Sequence, residues 1–130
     1  MNQFPKKEKL CSQKEISSLF SEGKRFLVYP FSVSYRLIPY SINPIIKVLI
    51  ISGKKYHKRA VARNRIKRLI REAYRLNKTE ISNFCAENKY ELHISISYID
   101  KKTPDFKTVN SNINIILDRL ITNLNNSNNK

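Results

Sequence analysis

Cysteine, glycine and acidic residues are scarce in this sequence, with two, two and ten among 130 residues. Cys11 and Cys85 lie far apart and belong to no C-x-x-C or Cys/His spacing, so neither a disulfide framework nor a zinc site is indicated. Two reduced thiols in an intracellular protein are the simplest interpretation. With Gly23 and Gly53 as its glycines, the chain also lacks a glycine-rich phosphate-binding loop.

Long apolar runs are absent as well. The N-terminal sequence MNQFPKKEKL has no apolar segment of the kind found in signal peptides. No stretch of the chain approaches the roughly 18 apolar residues of a membrane span. We therefore expect a soluble, cytoplasmic protein with no membrane-spanning segment.

Residues for protein-borne catalysis are also missing. The ten acids form no evident pair, and no nucleophile motif occurs. The two histidines are His57, in a basic loop where simple exposure is expected and phosphate contact is the alternative, and His93, which alternates out of the apolar face of a strand. The sequence therefore predicts no catalytic residue and no metal ligand.

Positive charge dominates what is present. Twenty-five lysines and arginines stand against ten acids, for a net charge of +15, and a 41% apolar content is enough for one domain with one core. Self-repulsion on this scale is tolerated mainly where an anionic partner neutralises it. Nucleic acid, an acidic membrane surface and an acidic protein are the candidate partners.

The predicted elements begin after a flexible basic arm at residues 1–9. A short helix follows Ser12 as N-cap, with Glu15 completing a capping box, and ends at Gly23. The alternating residues around Pro30 predict either two short strands or one bulged edge strand. The β-branched run IIKVLIIS then predicts a buried central strand.

Further along, helical spacing predicts a basic helix over about 60–76, and alternation in ELHISISYI predicts another strand. A final helix has apolar positions from Phe106 to Leu124. A disordered polar tail at 126–130 leaves residues 10–125 as a single domain. The order α-β-β-β-α-β-α indicates an α+β two-layer α-β sandwich, with part of one sheet face left for a ligand.

The basic helix and the loop before it hold most of the charge. Residues 54–78 contain eleven lysines or arginines and one acid, Glu72, for a local net charge of +10. On a helical wheel the core positions are Ala62, Ile66, Leu69, Ile70, Ala73 and Tyr74. The opposite side carries Asn64, Lys67, Arg68, Arg71 and Arg75, with Arg63 and Arg65 at its flanks.

This cationic stripe favours RNA as the partner. A merely solvated face would mix in glutamates, and a membrane-surface helix would need its apolar face free. Arginine grips phosphate with two parallel hydrogen bonds, and Asn64 can reach a ribose hydroxyl, a base edge or a backbone group. No feature of the chain marks a familiar DNA-binding motif.

The segment KKYHKRAVARNRIKRLIRE resembles the signature of the bacterial ribonuclease P protein subunit, a lysine pair followed by an R-N-R-x-K-R-x-x-R-E helix. The element order from about Lys9 to Leu124 is also similar to that family. The resemblance implies an α-β sandwich shared with a domain of a small-subunit ribosomal protein, with an unusual left-handed βαβ crossover. It further implies a protein that binds the catalytic RNA and the 5′ leader of precursor tRNA and promotes removal of the leader.

The resemblance also implies which residues make these contacts. RNA-binding residues would be Lys54, Lys55, Lys58, Arg59, Arg63, Asn64, Arg65, Lys67, Arg68, Arg71 and Arg75. A leader cleft would be lined by Ile16, Phe20, Phe31, Val33 and Tyr35. Ile16 departs from the family, which often has an aromatic there, so we expect apolar contact without stacking at this position. Since an apolar strand face is more often core, that alternative stays open for the three strand residues.

For catalysis, the resemblance implies an active site in the RNA subunit, with Mg²⁺ held mainly by the RNA and none bound by the protein alone. One protein is expected to pair with one ribonuclease P RNA. Two rival interpretations remain open. The first is a ribosomal protein or general RNA-binding chaperone without enzyme activity, and the second is a nuclease that cleaves without an RNA subunit.

Overall fold

The computed structural model describes residues 9, 10, 12–42 and 44–128. Most of the predicted N-terminal arm, together with Cys11 and the last two residues of the predicted tail, lies outside this part. The helices are α1 (Gln13–Glu22), α2 (Ala60–Asn77), α3 (Thr79–Asn88) and α4 (Phe106–Asn128). The strands are β1 (Lys24–Val28), β2 (Phe31–Ile38), β3 (Ile46–Ser52) and β4 (Glu91–Tyr98). The predicted α+β class is confirmed.

The four strands form one mixed sheet in the order β1-β2-β4-β3. Strands β1, β2 and β4 are antiparallel neighbours, and β3 runs parallel to β4. Pro30 lies in the turn between β1 and β2, so the alternative of two separate strands is the right one. The chain from β3 to β4 is a βαβ crossover through α2 and α3.

The run IIKVLIIS forms β3 at a sheet edge, so the prediction of a central strand is wrong. The outer edge of β3 is partly covered by the chain before α1. An edge strand that is covered can be as apolar as a central strand. The amide of Leu10 donates to the carbonyl of Val48 at 3.1 Å, and Lys9 forms an isolated parallel bridge with Val48. Lys9 is therefore paired with the sheet, although the sequence assigns it to the flexible arm.

The order of elements in the structure is α-β-β-β-α-α-β-α. Helix α3 was not predicted from the sequence. One residue separates this helix from α2. It buries only Ile81 and Cys85, and two apolar positions are too few to show a helical period in the sequence. Burial raises the pKa of the Cys85 thiol to about 12, which makes it a core group without nucleophilic character. The helix ends at Asn88, and its C-cap Lys89 has a left-handed conformation with φ of 58°.

The hydrophobic core lies between one face of the sheet and helices α2 and α4. Helix α2 buries Ile66, Ile70, Ala73 and Tyr74, which confirms the predicted apolar face. Helix α4 buries Val109, Ile113, Ile116, Leu117, Leu120 and Leu124. It continues to Asn128, so residues 126–128, predicted as part of a polar tail, are helical. Within the described ranges, no helix combines the length and apolar character needed to cross a bilayer.

Helix α1 packs on the opposite face of the sheet. Its N-cap Ser12 accepts a hydrogen bond from the amide of Glu15, as the sequence predicts. Glu22 pairs with Arg36 of β2 at 3.2 Å, and Glu15 pairs with Lys47 of β3 at 3.2 Å. These cations alternate with core residues along their strands, so α1 covers the face that α2 and α4 leave free.

Gly23 permits a close approach of α1 to β2. Its φ of −76° is accessible to any residue, so the requirement for glycine is steric. A Cβ atom here would lie 2.3 Å from the carbonyl oxygen of Leu19 and 2.7 Å from that of Tyr35. Both are backbone atoms, which cannot rotate away.

We expect Gly23→Ala to destabilise the protein by about 1 to 3 kcal/mol, because α1 or β2 must shift to make room. Urea unfolding followed by circular dichroism would measure this. Gly53→Ala is the matched control, since a Cβ there would have its nearest neighbour at 4.0 Å. Equal effects of the two substitutions would contradict a close contact at Gly23.

Candidate RNA-binding surface

Helix α2 presents its cations on the side opposite the core. Asn64, Arg65 and Arg68 are exposed, and Lys67 and Arg71 are half-buried. No carboxylate in the described ranges pairs with these cations. Their charges are therefore available to an external anion.

Arg75 differs from the other arginines of the stripe. It forms two hydrogen bonds to Glu72 one turn earlier. This hydrogen bonding lowers the pKa of Glu72 and raises that of Arg75. Because the pair cancels one charge, we expect Arg75 to contribute less to RNA binding than Arg68 does.

The N-terminal end of α2 adds to the positive potential. No side chain caps the helix at Arg59, and no acid lies in the first turn. The first amides of a helix have no intrahelical partner, and the helix dipole places partial positive charge there. Lys58 and Arg59 add full charges, so this end of the helix suits a phosphate group.

Arg63 connects α2 to the preceding basic loop, residues 53–59. Its Nη1 donates to the carbonyl of His57 at 3.0 Å and to that of Lys58 at 2.7 Å. Among the described residues the guanidinium has no other hydrogen-bond partner, so its remaining donors can make the RNA contact predicted here. Arg63 therefore holds the loop in place and also belongs to the cationic surface.

The basic loop exposes Lys54, Lys55, Lys58 and Arg59, whereas His57 is buried at 7% exposure. The expectation that His57 is exposed is therefore wrong. Its Nε2 lies 2.8 Å from the carbonyl of Asp100, which can only accept, so Nε2 carries the proton. This partner is 43 residues away, so the local sequence gives no sign of it.

The strand residues predicted to line the leader cleft lie on the wrong face of the sheet for that role. Phe31 and Val33 are fully buried and Tyr35 is 7% exposed, all within the core beneath α2 and α4. Alternation gives β2 two faces but does not say which one α1 covers. From α1, Ile16 is half-buried and Phe20 is 38% exposed, so both stay candidates.

The face beneath α1 carries paired serines instead of aromatics. In the ladder between β2 and β4, Ser32 pairs with Ser97 and Ser34 with Ser95. We call these four residues the serine floor. Leu27 borders it on β1 and Ile51 borders it on β3. Ser34 and Ser95 are covered, while Ser32 and Ser97 are partly open to solvent.

Comparison with known proteins identifies the family of the chain. A family model described as Ribonuclease P matches residues 4–121. The chain belongs to the ribonuclease P protein family. The ribonuclease P protein component of Porphyromonas gingivalis is 42% identical over 104 residues, covering 80% of this chain and 76% of the relative. That of Chlorobium phaeobacteroides is 31% identical over 130 residues, covering 92% and 89%.

Solved structures agree with this assignment. The ribonuclease P protein from Thermotoga maritima superimposes with a TM-score of 0.64 at 26% identity, covering 86% of this chain and 96% of that one. The Staphylococcus aureus ribonuclease P protein has a TM-score of 0.63 at 18% identity, covering 87% and 94%, which supports the fold.

Membership in the family decides between the interpretations left open by the sequence. The protein is a component of bacterial ribonuclease P, acts in tRNA 5′ processing and has the ribonuclease P RNA as its partner. The ribosomal and chaperone interpretation and the stand-alone nuclease are set aside. The contacts of individual residues with RNA stay predictions.

One polar cluster on the α1 side of the sheet was not predicted. His93 is fully buried, with Nε2 2.6 Å from Glu91 and 3.5 Å from Glu15, and Lys47 contacts both oxygens of Glu15 at 3.2 Å. These residues come from α1, β3 and β4, so no local motif marks them. The cluster ties α1 to the sheet.

The three potential ligand atoms of this cluster lie within 4.8 Å of one another, but they suit Mg²⁺ poorly. Mg²⁺ takes oxygen ligands, whereas the buried donor here is an imidazole nitrogen. The Lys47 ammonium already neutralises Glu15. No described protein group supports the second nitrogen of His93, as a metal-bound histidine usually requires.

Proposed function

We propose that the chain binds ribonuclease P RNA through the exposed face of α2 and the basic loop, and holds the 5′ leader of precursor tRNA at the open part of the serine floor, Ser32 and Ser97. The continuity of the two surfaces carries this proposal. Ile51 borders Ser97 on the floor, and β3 ends at Ser52, directly before the basic loop. A single strand on the floor would therefore reach the cations without interruption.

The floor suits a sugar-phosphate backbone better than base faces. Hydroxyl groups donate and accept, so they match both phosphate and ribose oxygens. Exposed apolar side chains are Leu27 on the border of the floor, at 54% exposure, and Phe20 on α1, at 38%. Phe20 can stack on one base. The leader contact proposed here keeps Ile16 and Phe20 and replaces the three buried strand residues by Ser32 and Ser97.

Cleavage itself belongs to the RNA subunit in this proposal. Mg²⁺ bound to that RNA would supply the activation of water and the stabilisation of negative charge at the phosphodiester. The residues of this chain neutralise phosphates along α2 and fix the position of the leader. Such positioning raises the fraction of bound substrate that is aligned for attack.

A comparison of precursor and mature tRNA tests the leader contact. We expect Ser32→Ala/Ser97→Ala to reduce the preference of the holoenzyme for precursor over mature tRNA by about fivefold or more, since two hydrogen bonds are lost. Affinity for ribonuclease P RNA should not change. Equilibrium binding of labelled precursor and mature tRNA to the assembled holoenzyme measures both quantities.

The matched control is Ser82→Ala/Ser111→Ala, which removes two hydroxyls from helices α3 and α4. It should leave the preference for precursor unchanged. A holoenzyme with Ser32→Ala/Ser97→Ala that retains the full preference would show that the leader does not lie on the serine floor. Cleavage by the protein without RNA would contradict the assignment of catalysis to the RNA.

We also expect four finer properties from the family resemblance. The α-β sandwich should have the same fold as the small-subunit ribosomal protein domain. The crossover from β3 to β4 should be left-handed. One protein should bind one RNA, which ultracentrifugation of the holoenzyme would measure. The cytoplasm is the expected location.

A further inference from the structure

The loop that follows β4 presents two exposed lysines, Lys101 and Lys102, on a restrained backbone. The Tyr98 hydroxyl donates to the carbonyl of Lys102 at 2.7 Å, and the amide of Lys102 donates to Oδ1 of Asp100 at 3.4 Å. The amide of Ile99 donates to the carbonyl of Pro30 at 2.9 Å. Burial raises the pKa of Tyr98 to about 12, so its hydroxyl remains a donor. These three hydrogen bonds restrain the backbone that carries the two lysines.

His57 joins this loop to the basic loop. Its buried ring donates to the carbonyl of Asp100 at 2.8 Å and lies 5.9 Å from the Tyr98 ring, centroid to centroid. Lys58 follows His57 directly, and Lys101 follows Asp100 directly. One short contact thus brings two exposed cationic segments side by side, although more than forty residues separate them in sequence.

No carboxylate within the described ranges forms an ion pair with Lys101 or Lys102. Asp105, the nearest acid after the loop, is engaged at the start of α4, where it accepts from the amide of Thr108 at 2.9 Å. Asp100 in the same loop offsets part of their charge, but two lysines beside the four cations of the basic loop leave a net positive charge that is unfavourable for the isolated protein. A polyanion in contact with both loops removes that repulsion.

We infer that Lys101 and Lys102 form a second RNA-binding element, which contacts phosphates of the ribonuclease P RNA adjacent to those bound by the basic loop. His57 acts as a positioning residue that sets the distance between the two loops. Ribonuclease P RNA and precursor tRNA both present a phosphate backbone, so either could in principle contact these lysines. The assembled complex distinguishes these two sources.

The salt dependence of RNA binding tests the lysines. We expect Lys101→Ala/Lys102→Ala to reduce the slope of log K against log salt by about 1.4 to 1.8, the value for two lost phosphate contacts. The control Lys14→Ala/Lys24→Ala removes the same charge from exposed positions on α1 and β1. An equal reduction by both variants would mean a general charge effect and would overturn the proposal, as would an unchanged slope.

The positioning role of His57 is tested by combining its substitution with the lysine substitutions and asking whether their effects on the slope add. His57→Ala should reduce the slope in the same way as the lysine variant, and the triple variant should show no further reduction. His57→Gln, whose amide can still donate to Asp100, should restore much of the slope. Circular dichroism would verify that each variant is folded. Additive slopes, or no rescue by His57→Gln in a folded protein, would overturn the positioning role.

A photoreactive amino acid at position 101 identifies the RNA. Cross-linking to ribonuclease P RNA, with or without precursor tRNA, is the expected result. A cross-link to precursor tRNA alone, or to neither RNA in the assembled holoenzyme, would overturn the assignment to the ribonuclease P RNA.

Discussion

Replacing Arg65 and Arg68 together by alanine should reduce the salt slope of ribonuclease P RNA binding by about 1.4 to 1.8 and leave the fold intact. Both side chains are exposed on α2 and have no carboxylate partner among the described residues. Each can contact a phosphate at no cost to an internal ion pair. Filter binding of the cognate RNA at several salt concentrations measures the slope.

The conservative variant Arg65→Lys/Arg68→Lys separates charge from geometry. Lysine keeps the charge, so the salt slope should be retained. The affinity should still fall, because lysine cannot reproduce the two parallel hydrogen bonds of arginine. If alanine at both positions leaves binding unchanged at every salt concentration, this face of α2 does not contact the RNA.

The features predicted correctly are those that depend on the sequence of a single helix or strand. The alternation of apolar and cationic positions in α2 depends only on 3.6 residues per turn, so Ile66 and Ile70 could be assigned to the core from sequence. The N-cap at Ser12 is equally local. The family resemblance rests on the same helix, since the cations that form the surface also form the motif.

What the sequence could not predict depends on how distant elements meet. The period of two in β2 separates Phe31 from Ser32, but the positions of the helices decide which of them lies in the core. The burial of His57 depends on a carbonyl that follows β4. The contact between Glu15 and His93 joins α1 to β4. The serine floor likewise depends on strand register, which the sequence of one strand does not determine.

Ile70→Ala should lower the free energy of unfolding by about 2 to 5 kcal/mol, the largest stability effect expected here. Ile70 is fully buried, on the face of α2 that packs against the sheet and α4. Truncation removes three carbon atoms and leaves a cavity that the rigid surroundings fill only in part. Urea unfolding of the protein without RNA measures the change.

Val61→Ala on the same helix is the control, because Val61 is 80% exposed and should change stability by less than about 0.5 kcal/mol. The effects of α2 substitutions on stability and on RNA binding should also be separable. Where Ile70→Ala remains folded, its salt slope for RNA binding should equal that of the unmodified protein, since no cation has moved. A changed slope in folded Ile70→Ala, or an unfolding free energy equal to that of Val61→Ala, would contradict the division of α2 into a core face and an RNA face.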